Sequence, residues 1–356
     1  EKEGIIQIDT GAVQLQIDAH GQLVGPHGPC VTELVDGSGK RFTSAMANAE
    51  TTIEENGPVR LVVKTTGDLT AEDGATSFRI EQRIEAWRGR PFVRVYHTFI
   101  NTLPDDVSKT KLQTTQSQQF ADVERMSLAV PAPHAAWQAP LAEGEPLTLK
   151  SGERIWQRFD DEFVPAGGEP AKGRVVGGLV AEGGAAAVSV RDFWQNYPKG
   201  FEVTPAGVQV DLCPAFEAGL YDAFPFEKEG HQLYFYLRDG AYMIKRGMAK
   251  THELLLDFGP EAAERAVVFQ RPLLLAAEPA WYCGSLAFYH VAPRNVEEFP
   301  AYEDAIDKNL QAYMDRRERQ HDYGMMNYGD WYGERGANWG NIEYDTQHAF
   351  FLEYIR

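Results

Sequence analysis

The groups best able to do chemistry crowd into the residues from His321 to Arg356. The run Gly329-Asp330-Trp331-Tyr332-Gly333-Glu334-Arg335 and the run Asn338-Trp339-Gly340-Asn341-Ile342-Glu343-Tyr344-Asp345 interleave glycines with aromatics, acids, amides and an arginine. Nine of these last 36 residues are aromatic, against 12% of the whole chain, which sets the segment apart. Glycine allows tight turns and close approach of a ligand to the backbone. Trp331, Tyr332 and Trp339 offer flat apolar faces of the kind that hold sugar rings, and Glu343 and Asp345 beside them can bind hydroxyls. A helix is expected from near Asn341 onward. At 100° per residue it places Asn341, Tyr344, Asp345 and His348 within an arc of about 100°. Phe351, Leu352 and Ile355 continue that stripe, so it is polar over two turns and apolar below, as in a helix lining an open-mouthed barrel. The plainer reading is that Asn341 and Asp345 cap or pair locally and His348 is a satisfied core histidine.

These groups suit removal of the proton beside a uronate carboxylate with expulsion of the glycosidic oxygen. Arg335 and Asn341 can neutralise the carboxylate. His348 and Tyr344 can serve as base and acid, and Arg335 near Tyr332 or Tyr344 would favour a phenolate. Glu334 belongs to the same loop and completes the candidate catalytic set. A rival chemistry uses Asp330, Glu334, Glu343 and Asp345 as the acid and base of a glycoside hydrolase. A third reading is a non-catalytic carbohydrate-binding module.

A second cluster spans Arg191 to Gly200. Arg191, Trp194, Asn196, Tyr197 and Lys199 read as substrate contacts on a loop flanking a cleft, or else as a packed edge strand with surface charges. In Lys250-Thr251-His252-Glu253 the histidine begins an apolar strand, and alternation hides it or pairs it.

The elements that must position these groups divide the chain into three parts. Residues 1–258 alternate with period two, as in Val59 to Val63 and Phe92 to Tyr96, with Gly, Asn, Asp and Pro punctuating the strands. Many strands and short turns predict a large antiparallel β-sandwich. Residues 259–300 are a linker segment, with a short helix expected over Glu261 to Phe269. Residues 301–356 begin a helical domain, with Tyr302, Ile306, Leu310 and Tyr313 on one stripe. The last helix has no stop signal, so the remainder of the same chain, mostly helical, is an expected partner.

The bulk numbers bound the partners. A length of 356 residues fits about two domains at ~150 residues each, and 43% apolar with 24% charged residues is an ordinary globular composition. The net charge of −18 argues against nucleic acid. It counts mildly against an acidic polysaccharide, although global charge is screened beyond ~10 Å. No stretch approaches the roughly 20 apolar residues that cross a bilayer, so no membrane partner is expected. The chain opens Glu1-Lys2-Glu3-Gly4, which does not read as a leader; a secreted or periplasmic place is expected over a cytoplasmic one. Cys30, Cys213 and Cys283 lack metal or disulfide spacing, and no metal and no cofactor is expected.

Three blocks, Asn327 to His348, Val190 to Gly200 and Ala249 to Glu253, together resemble the exo-acting rhamnogalacturonan lyase family. That resemblance implies an N-terminal β-barrel domain, a central β-sandwich and a C-terminal α/α toroid. On that scheme residues 1–258 are the sandwich, with the end of a preceding barrel allowed within them, and residues 301–356 are the first toroid helices. It also implies β-elimination on an acidic plant-type polysaccharide of alternating rhamnose and galacturonate.

Overall fold

A computed structural model describes residues 4–104, 120–221, 237–327, 331–332, 338–340 and 345–356. Strands dominate, and every strand pairing is antiparallel. One sheet runs in the order Glu50–Asn56, Arg60–Thr70, Thr76–Trp87, Phe92–Ile100, Ala249–Asp257, Ala187–Val190, Gly178–Ala181, Ala136–Ala139, Leu147–Lys150. The other runs Arg41–Thr43, Val31–Asp36, Phe120–Pro131, Gly207–Cys213, Lys199–Thr204, Arg154–Phe159, Glu162–Val164, Ala171–Lys172. The strand Ala241–Lys245 shares an edge of Phe120–Pro131. Thr43 opposite Thr70 joins the two sheets. This is the large sandwich that the period-two pattern predicts.

The alternation has a direct physical result. Along Phe92–Ile100 every second residue is buried, so Val93, Val95, His97 and Phe99 face inward. Opposite them, Leu256, Leu254 and His252 face the same side, with His97 directly across from His252. The core therefore falls into two apolar clusters. Val93, Val95, Leu254 and Leu256 belong to the first, with Trp137 from the same sheet and Ile155, Phe201 and Val210 from across the sandwich. Phe99 belongs to the second, with Leu34, Met126, Phe159, Tyr197 and Tyr242. The strand residues between them are polar. His97 is fully buried and its Nε2 lies 2.9 Å from Thr32 Oγ1. Burial pushes the His97 pKa down to about 4 and holds His252 well below its usual range, so both imidazoles are neutral. His252 is thus hidden, as its strand position implies.

The first four strands, Ile6–Asp9, Gln14–Ile17, Leu23–Gly25 and Gly28–Pro29, form a separate meander. Its Ile6, Ile8, Leu15 and Ile17 join the first core cluster, so it shares the sandwich interior.

Four helices are described: α1 (Ala262–Gln270), α2 (Pro279–Gly284), α3 (Pro300–Arg319) and α4 (Thr346–Ile355). The stretch read as a linker is partly docked, because Ala262 and Ala266 of α1 pack on Ala187 of the sandwich. Pro300 and Arg319 bound α3 with a proline at its start and three arginines in its last turn, which suits the helix dipole. Its inward stripe differs by one residue from the expected one. Tyr302 is 54% exposed, whereas Glu303 is buried and paired with Arg356 of α4. α4 begins at Thr346 rather than near Asn341, and the Tyr313 and Phe350 rings meet at 5.0 Å. Phe351, expected on the inward stripe, is 70% exposed.

Candidate functional site

The site grows from the loop between strands Ala187–Val190 and Lys199–Thr204. Phe193 anchors it, fully buried and stacked on Phe201 at 4.7 Å. Gly177 makes room for that anchor: a Cβ there would lie 2.4 Å from Phe193 Cβ, and its φ of +89° suits only glycine. Asp192 adopts φ 51°, and the Asn196 backbone N–H and Nδ2 both donate to Asp192 O, at 2.9 and 3.0 Å. This tight turn brings Trp194, Gln195 and Asn196 to the surface while burying Tyr197.

The segment after α3 is clipped to this loop. Gly324 N–H donates to Gln195 O and Met325 N–H to Tyr197 O, both at 2.8 Å. Met325 and Met326 are buried in the second core cluster, which fixes the segment against the sandwich. The end of α3 then supplies Tyr313, Arg317 and Glu318, and the chain after Lys172 supplies Arg174.

Between them lies a cleft of about 500 Å³. Its wall is a layered stack of cations and rings. The Arg174 guanidinium sits 3.9 Å over the Trp194 ring. Trp194 and Tyr323 meet at 4.9 Å, and Arg317 lies 4.2 Å over Tyr323. Arg174 also pairs with Glu318 at 2.7 Å, and the Tyr323 hydroxyl donates to the other oxygen of the same carboxylate. Burial, reinforced by Glu318, pushes the Tyr323 pKa up to about 12. Burial acts to raise the Glu318 pKa too, but the bonds from Arg174 and Tyr323 outweigh it and hold the carboxyl low. Neither group is therefore poised to exchange a proton near neutral pH. Amides complete the lining, with Asn327 Nδ2 donating to Asp322 Oδ1 at 2.6 Å. A guanidinium, flat rings and amides are the groups that bind a carboxylate and hydroxyls.

Of the residues read from sequence, Trp194 and Asn196 line the cleft. The other three of that cluster do not. Arg191 pairs with Glu253 at 2.5 Å and lies over Phe269 at 4.4 Å, so it ties α1 to the sheet. Tyr197 and Lys199 are buried beneath the cleft floor. Lys199 Nζ bonds Pro198 O, Leu212 O and Met325 Sδ at 3.1, 2.8 and 2.9 Å, and neighbouring Lys250 reaches Asn196 Oδ1 at 2.7 Å. Asp345 and His348 are exposed at the start of α4, and neither lines this cleft. Trp331 and Tyr332 pair with Asn338 to Gly340 as a short hairpin. Glu334, Arg335, Asn341, Glu343 and Tyr344 lie outside the described residues, as does Asp330.

The reading missed Arg174, Tyr313, Arg317, Glu318 and Tyr323. In the sequence Arg317 and Glu318 sit in a charged run on the outer face of a helix, and Arg174 has no flanking pattern at all. Only Tyr323, within the aromatic-rich segment, carried a signal.

Asp160, Asp161 and His321 bring possible ligand atoms within 4.8 Å of one another. Their charges are already met by protein cations. Lys172 pairs with Asp161 at 3.1 Å, and Asp160 faces Arg174 at 3.7 Å and His321 at 3.0 Å. Lys172 and Arg174 thus already offset the two carboxylates of this group.

The fold and cleft define a mainly β protein built on a large antiparallel sandwich with helices at its C-terminal side. No protein-family description matches the chain, and no curated protein matches it. Solved structures give similarities of fold at low identity. An α-mannosidase from Enterococcus faecalis is 12% identical, over 75% of this chain and 31% of its own, at a TM-score of 0.42. An α-N-acetylgalactosaminidase from Bifidobacterium bifidum is 12% identical, over 79% and 41%, at 0.37. A putative aldose 1-epimerase from Escherichia coli K12 is 10% identical, over 71% and 98%, at 0.31. The chain thus spans less than half the length of the two glycosidases.

Proposed function

We propose that the protein is a carbohydrate-active enzyme, and specifically an exo-acting polysaccharide lyase that cleaves a rhamnose–uronate bond of rhamnogalacturonan-type pectin by β-elimination. The observation that carries this reading is the cation–aromatic wall of the cleft. Arg174 is already paired with Glu318, but Arg317 has no carboxylate at ion-pair distance among the described residues. A guanidinium so placed suits a uronate carboxylate, and neutralising that carboxylate acidifies the adjacent C5–H. Gln195, whose Oε1 has no hydrogen-bond partner among the described residues, can accept from a sugar hydroxyl. The resemblance of the three sequence blocks supplies the substrate class.

A hydrolase needs a carboxyl group that keeps its proton near neutral pH. The bonds of Glu318 to Arg174 and Tyr323 hold its carboxyl low, so Glu318 is not suited to that role. The test is to incubate the full-length protein with rhamnogalacturonan and follow the ultraviolet absorbance of the unsaturated uronate. Growth of that absorbance with oligosaccharide release is expected. Saturated products without it would overturn the lyase reading in favour of a hydrolase, and binding without turnover would leave a sugar-binding module.

A further inference from the structure

α3 ends in a hydrogen-bonding pattern that normally calls for glycine. Asp322 N–H donates to Arg317 O at 3.0 Å and His321 N–H to Glu318 O at 3.2 Å, the paired bonds of a Schellman cap. The residue between cap and exit must then adopt a left-handed conformation, and here it is His321, at φ 52°. A side chain in that conformation is disfavoured, and glycine is the usual occupant. Strain of this kind concentrates at functional sites.

The same imidazole is held in one orientation. Its Nδ1 lies 3.0 Å from both oxygens of Asp160, whose side chain is only 2% exposed, while the His321 side chain is 39% exposed. Burial raises the Asp160 pKa, and the bond from His321 opposes it. Once ionised, that carboxylate can only accept, so Nδ1 is the nitrogen that carries the hydrogen, and in the neutral imidazole Nε2 keeps its lone pair. Asp161, Lys172 and Arg174 surround Asp160, and Glu318 precedes the ring on its own helix. Neither member of the dyad is itself a lining residue, but Glu318 and Asp322 on either side of His321, and Arg174 beside Asp160, all line the cleft. A buried carboxylate orienting an accessible histidine is the arrangement of a general base.

We propose that the His321–Asp160 dyad is the proton acceptor of this cleft. This rests on the elimination reading above. In the step, Nε2 takes the C5 proton of the uronate and the C–H electron pair becomes the C4–C5 double bond. The C4–O bond breaks, and the leaving oxygen keeps the electron pair of that C4–O bond and takes a proton from water. The imidazolium, stabilised by Asp160, then returns its proton to solvent.

The test compares the full-length protein with His321→Gly and His321→Asn on rhamnogalacturonan oligosaccharides, scoring both unsaturated and saturated products. Both replacements tolerate the left-handed conformation, so both are expected to fold. Loss of a general base should lower kcat by about 10²–10⁴-fold with KM nearly unchanged. Added imidazole should restore turnover to the glycine variant, which a merely structural histidine would not allow. Unsaturated products from the native protein with native-like kcat in both variants would overturn the dyad alone. Saturated products with a large kcat loss and imidazole rescue would overturn the lyase reading and keep the dyad as a base. No turnover by the native protein would overturn both.

Discussion

Lys199→Met tests how the floor of the cleft is held. The ammonium is fully buried and meets two carbonyls and a thioether. Burial lowers its pKa from 10.5 to about 7; Cys213 opposes that shift and Lys250 reinforces it. In the unfolded chain the amine titrates near ~10.4. Between about pH 7 and 10 the unfolded state therefore binds more protons than the folded one, and stability rises with pH. Below the folded pKa the cost of the buried charge is fully present. Across the whole window it amounts to roughly 5 kcal/mol at ~1.4 kcal/mol per tenfold change. Methionine removes that cost but leaves two buried carbonyls without a donor, at about 1–3 kcal/mol each. The two effects nearly cancel at pH 7. At pH 10 the neutral amine of the native protein still donates, and only the loss remains, so the variant should be the weaker by several kcal/mol. Urea unfolding of both proteins across this pH range measures the difference directly. A stability difference that stays flat within about 1 kcal/mol would refute the account of Lys199 as a buried, titrating floor post.

Two further expectations follow from the cleft. Arg317→Ala removes the guanidinium proposed to meet the substrate carboxylate, a charge-assisted bond worth about 1.5–3 kcal/mol. Steady-state kinetics should show KM for the oligosaccharide raised by roughly tenfold or more, while the melting temperature changes little because Arg317 is exposed and makes no ion pair among the described residues; an unchanged KM would remove Arg317 from binding. Gly177→Ala places a Cβ 2.4 Å from Phe193 Cβ and 2.5 Å from Val190 O. It should destabilise the protein by at least ~1–3 kcal/mol and shift the Trp194 emission, and an unaltered melt with native emission would show that Gly177 does not hold the loop.

Much of the fold is legible because strand alternation is a local property. The inward set Val93, Val95, His97 and Phe99 can be read from Phe92 to Ile100 alone, and the burial of His252 from the alternation of its own strand. Helix bounds were less legible. The polar stripe drawn from Asn341 assumed a helix that begins at Thr346, since regular spacing on paper does not show where a helix is capped. Glu303 replaced Tyr302 on the inward face of α3 because Arg356, 53 residues away, supplies its counter-charge.

The candidate site divides the same way. Trp194 and Asn196 could be picked out because an aromatic and an amide stand together on a loop between strands. By itself, the sequence determined the strand pattern, the sandwich, the absence of metal spacing and the concentration of aromatic and ionisable groups toward the C-terminus. Only the tertiary structure decided that Arg174, Trp194, Tyr323 and Arg317 form one stack, that Lys199 lies under it, and that Asp160 holds His321. Those contacts join residues up to 161 positions apart. Their geometry is set by how the chain after α3 docks on the loop after strand Ala187–Val190, and no local pattern encodes a docking of that kind.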